Sequence, residues 1–136
     1  MNIDGVTRGI VLDHISAGRG IEIYNYLGLD KLGCCVALIQ NVRSDKYGKK
    51  DIIKIDSVID LNLDALGYID PNITVNYISE GKLLRKEHLA LPKELHNVIK
   101  CRNPRCITAV EQDAEHIFVL ADERRRIYRC IYCEES

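Results

Sequence analysis

Apolar and polar positions switch period several times along the chain, and each switch marks an element. Thr7–Ile15 carries Ile10, Val11 and Leu12 with a β-branched bias and predicts a strand. Gly18–Leu29 places Ile21, Tyr24 and Leu27 at helical spacing, with Gly28 able to close the helix. Cys34–Val42 is a continuous apolar run, the pattern of a buried strand. Ser44–Gly48 is a turn cluster, and Asp51–Val58 alternates again as a strand. Asn62–Tyr68 predicts a short helix that stops near Gly67 and Pro71. Ile73–Ile78 and Lys82–Leu89 predict two strands around a Glu80-Gly81 turn. The order is β-α-β-β-α-β with one extra strand, which fits a ferredoxin-like α/β sandwich with its helices on one face of an antiparallel sheet.

Pro92 interrupts this pattern, and the chain then turns polar. We divide the sequence there, into domains 1–92 and 93–136. The second part predicts short strands at Ala109–Gln112, Ile117–Ala121 and Ile127–Cys130. The expected fold class is therefore α+β: a ferredoxin-like N-terminal domain followed by a small all-β, zinc-ribbon-like C-terminal domain. A segment of roughly forty residues buries too little apolar surface to be stable alone and usually needs a metal or disulfides.

Composition narrows the class. The chain has 136 residues, 46% hydrophobic and 29% charged, the balance of a globular protein. Its net charge of -1 argues against non-specific attraction to nucleic acid or to an anionic membrane. No apolar run is long enough to span a bilayer, and the N-terminal sequence MNIDGVTRGIVLDHI lacks a secretory pattern. The expected location is cytoplasmic, where thiols stay reduced, so the six cysteines read as metal ligands or buried thiols.

Four of those cysteines form two short-spaced pairs, Cys101/Cys106 and Cys130/Cys133. Two tight turns can offer two thiolates each to a tetrahedral ion, and soft thiolates in that geometry select zinc. Four protein ligands leave no open position, so one structural Zn2+ per chain is expected. An iron–sulfur cluster would call for three closely spaced cysteines, which are absent. Cys34-Cys35 reads as a pair of small buried hydrophobes.

The N-terminal part lacks a phosphate-binding glycine loop, a zinc-protease motif and a nucleophile elbow. Lys50 and Lys54 are four apart and share a strand face, Lys86 sits on the last predicted strand of the domain, and His14 ends the first. They could converge on phosphates, or simply form a solvated face. Asp13-His14 could be an acid/base pair or two polar residues ending a strand. Arg124–Arg126 reads as a charged hairpin tip. A zinc-ribbon nucleic-acid-binding protein is the alternative reading, but the segment from Lys93 onward holds eight basic and eight acidic residues and is neutral.

Several segments together resemble one family along the whole chain. They are Arg8-Gly-Ile-Val-Leu-Asp-His-Ile15, Gly48-Lys-Lys-Asp-Ile-Ile-Lys-Ile55, Pro71 through Thr74-Val-Asn-Tyr-Ile78, and the cysteine pattern ending Cys-Ile-Tyr-Cys133. These are similar to the regulatory chain of aspartate carbamoyltransferase. The resemblance implies a non-catalytic subunit in de novo pyrimidine biosynthesis, inhibited through CTP or UTP and activated through ATP. It also implies a self-dimer through the N-terminal domain and a zinc domain that contacts the catalytic chain, with neither nucleic acid nor membrane as partner. Carried over by position, Asp13 would hold ribose hydroxyls, and His14, Lys50 and Lys86 would face phosphates, with Asn76 nearby. Lys54 would lie near ribose and base. Val6, Val11, Ile52, Ile78 and Leu83 would line the base and sugar pocket, which Asp4 and Gly5 would also approach.

Overall fold

Five strands of the N-terminal unit pair antiparallel in the order β2-β3-β1-β4-β5. The computed structural model describes residues 7–45, 48–111 and 113–134. The strands are β1 (Gly9–Ser16), β2 (Val36–Ser44), β3 (Gly48–Ile55), β4 (Thr74–Ser79) and β5 (Lys82–His88). Helix α1 (Gly20–Tyr26) connects β1 to β2, followed by a 3-10 turn at Leu29–Lys31, and α2 (Leu63–Ile69) connects β3 to β4. β3 lies between β1 and β2, so each helix crosses over a strand. This is the split βαβ arrangement that the element order predicts.

The sheet has two different faces. Ile10, Leu12, Ile53, Ile55 and Val75 point to the helix side and pack with Ile23 of α1 and Leu66 of α2. Val11, Ile52 and Ile78 form a smaller buried cluster that does not belong to that core. Strict alternation along β1 would send Ile15 away from Ile10 and Leu12. Instead Ile15 is fully buried in the helix-side core. A β-bulge between Leu12 and Ile15, with His14 at φ 58°, inserts the extra residue that reverses the alternation.

Asp51 anchors the first crossover. Its buried carboxylate accepts the amides of Gly18 at 3.0 Å, Gly20 at 2.9 Å and Asn41 at 3.0 Å. One side chain thus fixes the turn into α1 and the irregularity in β2, and it satisfies its own charge by hydrogen bonding. Asn62 caps α2, its side chain accepting from the Ala65 amide at 3.2 Å.

β2 departs from the sequence expectation. The run Cys34–Val42 reads as buried, yet β2 is an edge strand in which Val36 and Leu38 are half-buried and Ala37 and Ile39 exposed. With one strand neighbour and helices on one side only, it buries a single face. Cys35 is likewise exposed rather than buried, and Cys34 only half-buried. Both precede the strand.

The chain divides into compact units at Ala90/Leu91. The C-terminal unit carries a three-stranded sheet, β6 (Glu94–His96), β7 (Ile117–Asp122) and β8 (Ile127–Cys130), in that order. Leu95, Phe118 and Tyr128 supply most of its small core. The Tyr128 hydroxyl donates to the Pro92 carbonyl at 2.7 Å, and the Leu120 amide to the Lys93 carbonyl at 2.9 Å, tying the entering chain to the sheet. Ala109–Gln112, expected as a strand, is corrected. Ile107–Val110 is one helical turn, α3, closed by the Ala109 amide on the Cys106 carbonyl at 2.9 Å. Gln112 lies outside the described residues. β6 was not anticipated, because three residues carry too little alternation to register.

Gly67 gives a direct test of α2 packing. A Cβ there would stand 2.3 Å from the Ala90 carbonyl oxygen, a backbone atom that cannot rotate away. Gly67→Ala is expected to destabilise the N-terminal unit by about 1–3 kcal/mol despite alanine's better helix propensity. A urea melt checks this, and an unchanged or raised midpoint would contradict the close approach.

Candidate functional site

The strand register builds a polar strip on the sheet face turned away from the helices. Directly opposed residues share a face. Lys54 opposes Val11, Val11 opposes Asn76, and Asn76 opposes Lys86, giving one row across β3, β1, β4 and β5. Three inter-strand spacings separate its ends, about 14 Å. A second row runs Asp13, Thr74, His88. Lys50 Nζ reaches Asp13 Oδ1 at 3.0 Å, with both side chains 8% exposed. Lys50 is therefore not a solvated cation, and its charge is balanced inside the strip.

The other members of the strip follow from the same register. Asn76 is buried and its amide donates to the Val11 carbonyl at 3.3 Å. Ile52 and Ile78 are buried beside Val11. Lys54 is half-buried, while Leu83 and Lys86 are exposed. The Asp13 carboxylate accepts the His14 amide at 2.7 Å, and the positive φ of His14 sets its ring beside Thr74 Oγ1 at 3.2 Å. Asp4, Gly5 and Val6 lie outside the described residues.

Sequence reasoning missed Thr74 and His88. Thr74 Oγ1 lies 3.4 Å from His88 Nδ1, so one hydroxyl stands between two imidazoles, beside a cavity of about 210 Å3 that these three residues line with Asn72. The β4–β5 register was the signal that would have found them, and no single-strand pattern carries it.

The C-terminal unit gathers Cys101, Cys106, Cys130 and Cys133. Their sulfurs all lie within 4.8 Å of one another. Cys101 and Cys133 are 3.4 Å apart, and Cys106 and Cys130 3.7 Å, one sulfur from each loop in both pairs. All four are free thiols. Tetrahedral bonds of about 2.3 Å from a metal to sulfur would set neighbouring sulfurs about 3.8 Å apart, so the donor set fits a closed four-coordinate site.

Local structure explains the gathering. The Asn103 side chain accepts the Arg105 amide at 3.0 Å, and the Cys106 amide donates to the Asn103 carbonyl at 3.1 Å, folding the first loop. The second pair sits at the end of β8, where the Glu134 amide donates to the Cys130 carbonyl at 2.8 Å. The Cys101 amide donates to His116 Nδ1 at 3.3 Å, linking the first loop to the segment that enters β7. That segment is also held by His96, which lies 2.7 Å from Glu115 and 3.4 Å from Glu94. The hydrogen bond to Glu115 is the main cause that raises His96 above its ordinary range. The ionic link is thus complete below that range and is lost as pH rises through the raised value.

The thiols are unequal. The Thr108 hydroxyl, 3.2 Å from Cys106 Sγ, is the main cause that draws Cys106 down to about 6. Burial pushes Cys101 up to about 12. Four thiolates this close cannot all ionise unless a cation balances them. Arg124–Arg126, at the β7–β8 turn, is exposed, as a hairpin tip should be. No helix among the described residues is long and apolar enough to cross a membrane.

Comparison with known proteins agrees with both halves. A family model described as "Aspartate carbamoyltransferase regulatory chain, allosteric domain" matches residues 1–90. A second, described as "Aspartate carbamoyltransferase regulatory chain, metal binding domain", matches residues 93–136. A relative from Clostridium acetobutylicum with the name aspartate carbamoyltransferase regulatory chain is 52% identical over 135 residues, covering 99% of this chain and 92% of its own. One of the same name from Clostridium botulinum is 49% identical with the same coverage. Another from Bifidobacterium longum is 39% identical, covering 100% of this chain and 98% of its own. With both units matched and these relatives aligned nearly end to end, the chain belongs to the family of aspartate carbamoyltransferase regulatory chains, a non-catalytic subunit.

Proposed function

We propose that this chain is the allosteric subunit of an aspartate carbamoyltransferase, sensing nucleoside triphosphates to control de novo pyrimidine biosynthesis in the cytoplasm. The observation that carries the effector reading is the two-row strip: Lys54, Asn76 and Lys86 in register, with the Asp13–Lys50 pair and His14 beside them. A strip about 14 Å long suits an elongated anion with an apolar portion. Val11, Ile52, Ile78 and Leu83 offer the apolar wall for base and sugar, and Lys86, His14 and the Asp13-paired Lys50 would face the phosphates. Asp4, Gly5 and Val6 complete the reading at the base, with Asp13 on the ribose hydroxyls. ATP as activator and CTP and UTP as inhibitors are carried into this proposal from the family resemblance.

Nucleotide would act by binding two quaternary states unequally, a coupling typically about 1–3 kcal/mol. The unit 1–92 would also form the self-dimer, for which β2 supplies an unpaired sheet edge with Ile39 exposed. The unit 93–136 would hold one structural Zn2+ through Cys101, Cys106, Cys130 and Cys133 and would dock on the catalytic chain. Ile107, Val110, Ile131 and Tyr132 are exposed apolar side chains near the cysteine loops, which supports a docking role there. Zinc would supply the positive charge that lets the thiolates coexist, and through it the folding energy of the unit.

Three measurements test these readings. Mixed with the catalytic chain of its own organism, the chain is expected to co-purify and to make the activity respond to triphosphates. Separate elution under assembly conditions would refute the subunit reading. Lys86→Ala is expected to weaken CTP and ATP about tenfold, the loss of one charge-assisted contact, with metal content unchanged. Equal affinity by calorimetry would contradict the strip as effector site. Cys130→Ser is expected to lose zinc by elemental analysis and to fail to bind the catalytic chain, while the N-terminal unit still binds nucleotide. Normal co-elution of that variant would count against the metal-dependent docking surface.

A further inference from the structure

Thr108 is buried at the start of α3, and a buried hydroxyl needs a partner. In a helix, threonine usually bonds back to a carbonyl in the preceding turn. Here its hydroxyl donates to Cys106 Sγ at 3.2 Å. Cys106 is itself buried and is the residue that opens α3. The geometry is therefore fixed from both sides: the sulfur by its loop, the hydroxyl by the first helical turn.

We propose that Thr108 is a positioning residue of the metal centre, whose hydroxyl holds Cys106 Sγ in place and strengthens the grip of the four cysteines on a soft divalent cation. This rests on the zinc reading given above. A divalent ion with four thiolates keeps a net negative charge in a poorly solvated place. A hydrogen bond to an ionised sulfur spreads some of that charge and is stronger than a neutral one. Hydrogen bonds in the outer shell of a metal are commonly worth about 10–100-fold in affinity. Ile107 and Val110, both exposed, share this single turn with Thr108, so the bond also ties the metal loop to an exposed apolar surface.

The test uses the full chain with Zn2+ or Co2+ alone. Thr108→Val keeps the shape and removes the hydroxyl. It is expected to lose metal to a chelator at an affinity at least about tenfold lower. It is also expected to move the sulfur-to-cobalt charge-transfer band to lower energy, because a thiolate without its hydrogen bond gives up an electron more readily. Thr108→Ser should restore both readouts. If the valine chain does not fold, Thr108→Ala against Thr108→Ser reads the same difference without the added bulk. A band that does not move, or a serine variant that behaves like valine or alanine, overturns the proposal, even if affinity falls. A wild-type chain that takes up neither ion refutes the zinc reading instead, so the two failures are distinct.

Discussion

The repulsion among four closely placed sulfurs is the constraint around which the C-terminal unit is organised. Cys101, Cys106, Cys130 and Cys133 come from loops separated by more than twenty residues, yet their sulfurs meet within 4.8 Å. Apolar burial there is small: Leu95, Phe118 and Tyr128, with the two inner cysteines themselves. Such a core does not by itself offset the chain entropy of a unit this size. A cation shared by the sulfurs changes that balance, since its binding energy becomes folding energy. The outer contacts, Asn103 in the first loop and His116 on the Cys101 amide, then serve to bring the donors to the ion already oriented.

The N-terminal unit meets a different demand: one thin sheet must bury a core on one side and present charge on the other. Alternation along β3 does this simply, with Ile53 and Ile55 inward and Lys50, Ile52 and Lys54 outward. β1 cannot use alternation throughout, because Ile15 must rejoin the core after Asp13 has faced the strip. The bulge at His14 resolves the conflict. It also places an imidazole in a conformation that non-glycine residues seldom adopt, and such positions are retained where the side chain is needed. The structural device and the candidate ligand residue are the same residue.

Much of this was legible in the chain itself. Apolar runs bounded by turn residues announced β3, β4, β5, β7 and β8 to within a few residues, and the cysteine spacing announced the sulfur cluster. What failed did so for identifiable reasons. Cys34–Val42 looked buried because a single strand's composition does not say whether it lies at a sheet edge. Ala109–Gln112 looked extended because the signal for α3 is the Cys106 carbonyl acting as its first acceptor, not any side chain. β6 was too short to show a period. Thr74, His88 and Thr108 escaped because each owes its place to a partner distant in sequence or to a sulfur's geometry, and neither leaves a spacing to read.

The division of labour between the units has a physical consequence for how sequence can vary. On the sheet, Val11, Ile52 and Ile78 pack together as the buried cluster of the second face, so packing constrains them whatever else they do. Lys86 and Leu83, on the edge strand and exposed, answer to little else in the fold. Under the effector reading proposed above, changes in response would enter through β5, where side chains can alter without disturbing β1 or β3. In the C-terminal unit the order is reversed. The sulfurs are held within 4.8 Å of one another by their loops, and the freedom lies in the exposed residues around them, Ile107, Val110, Ile131 and Tyr132. On the docking reading proposed above, a rigid centre with a variable rim would let that surface adapt to a partner while the fold that displays it stays constant.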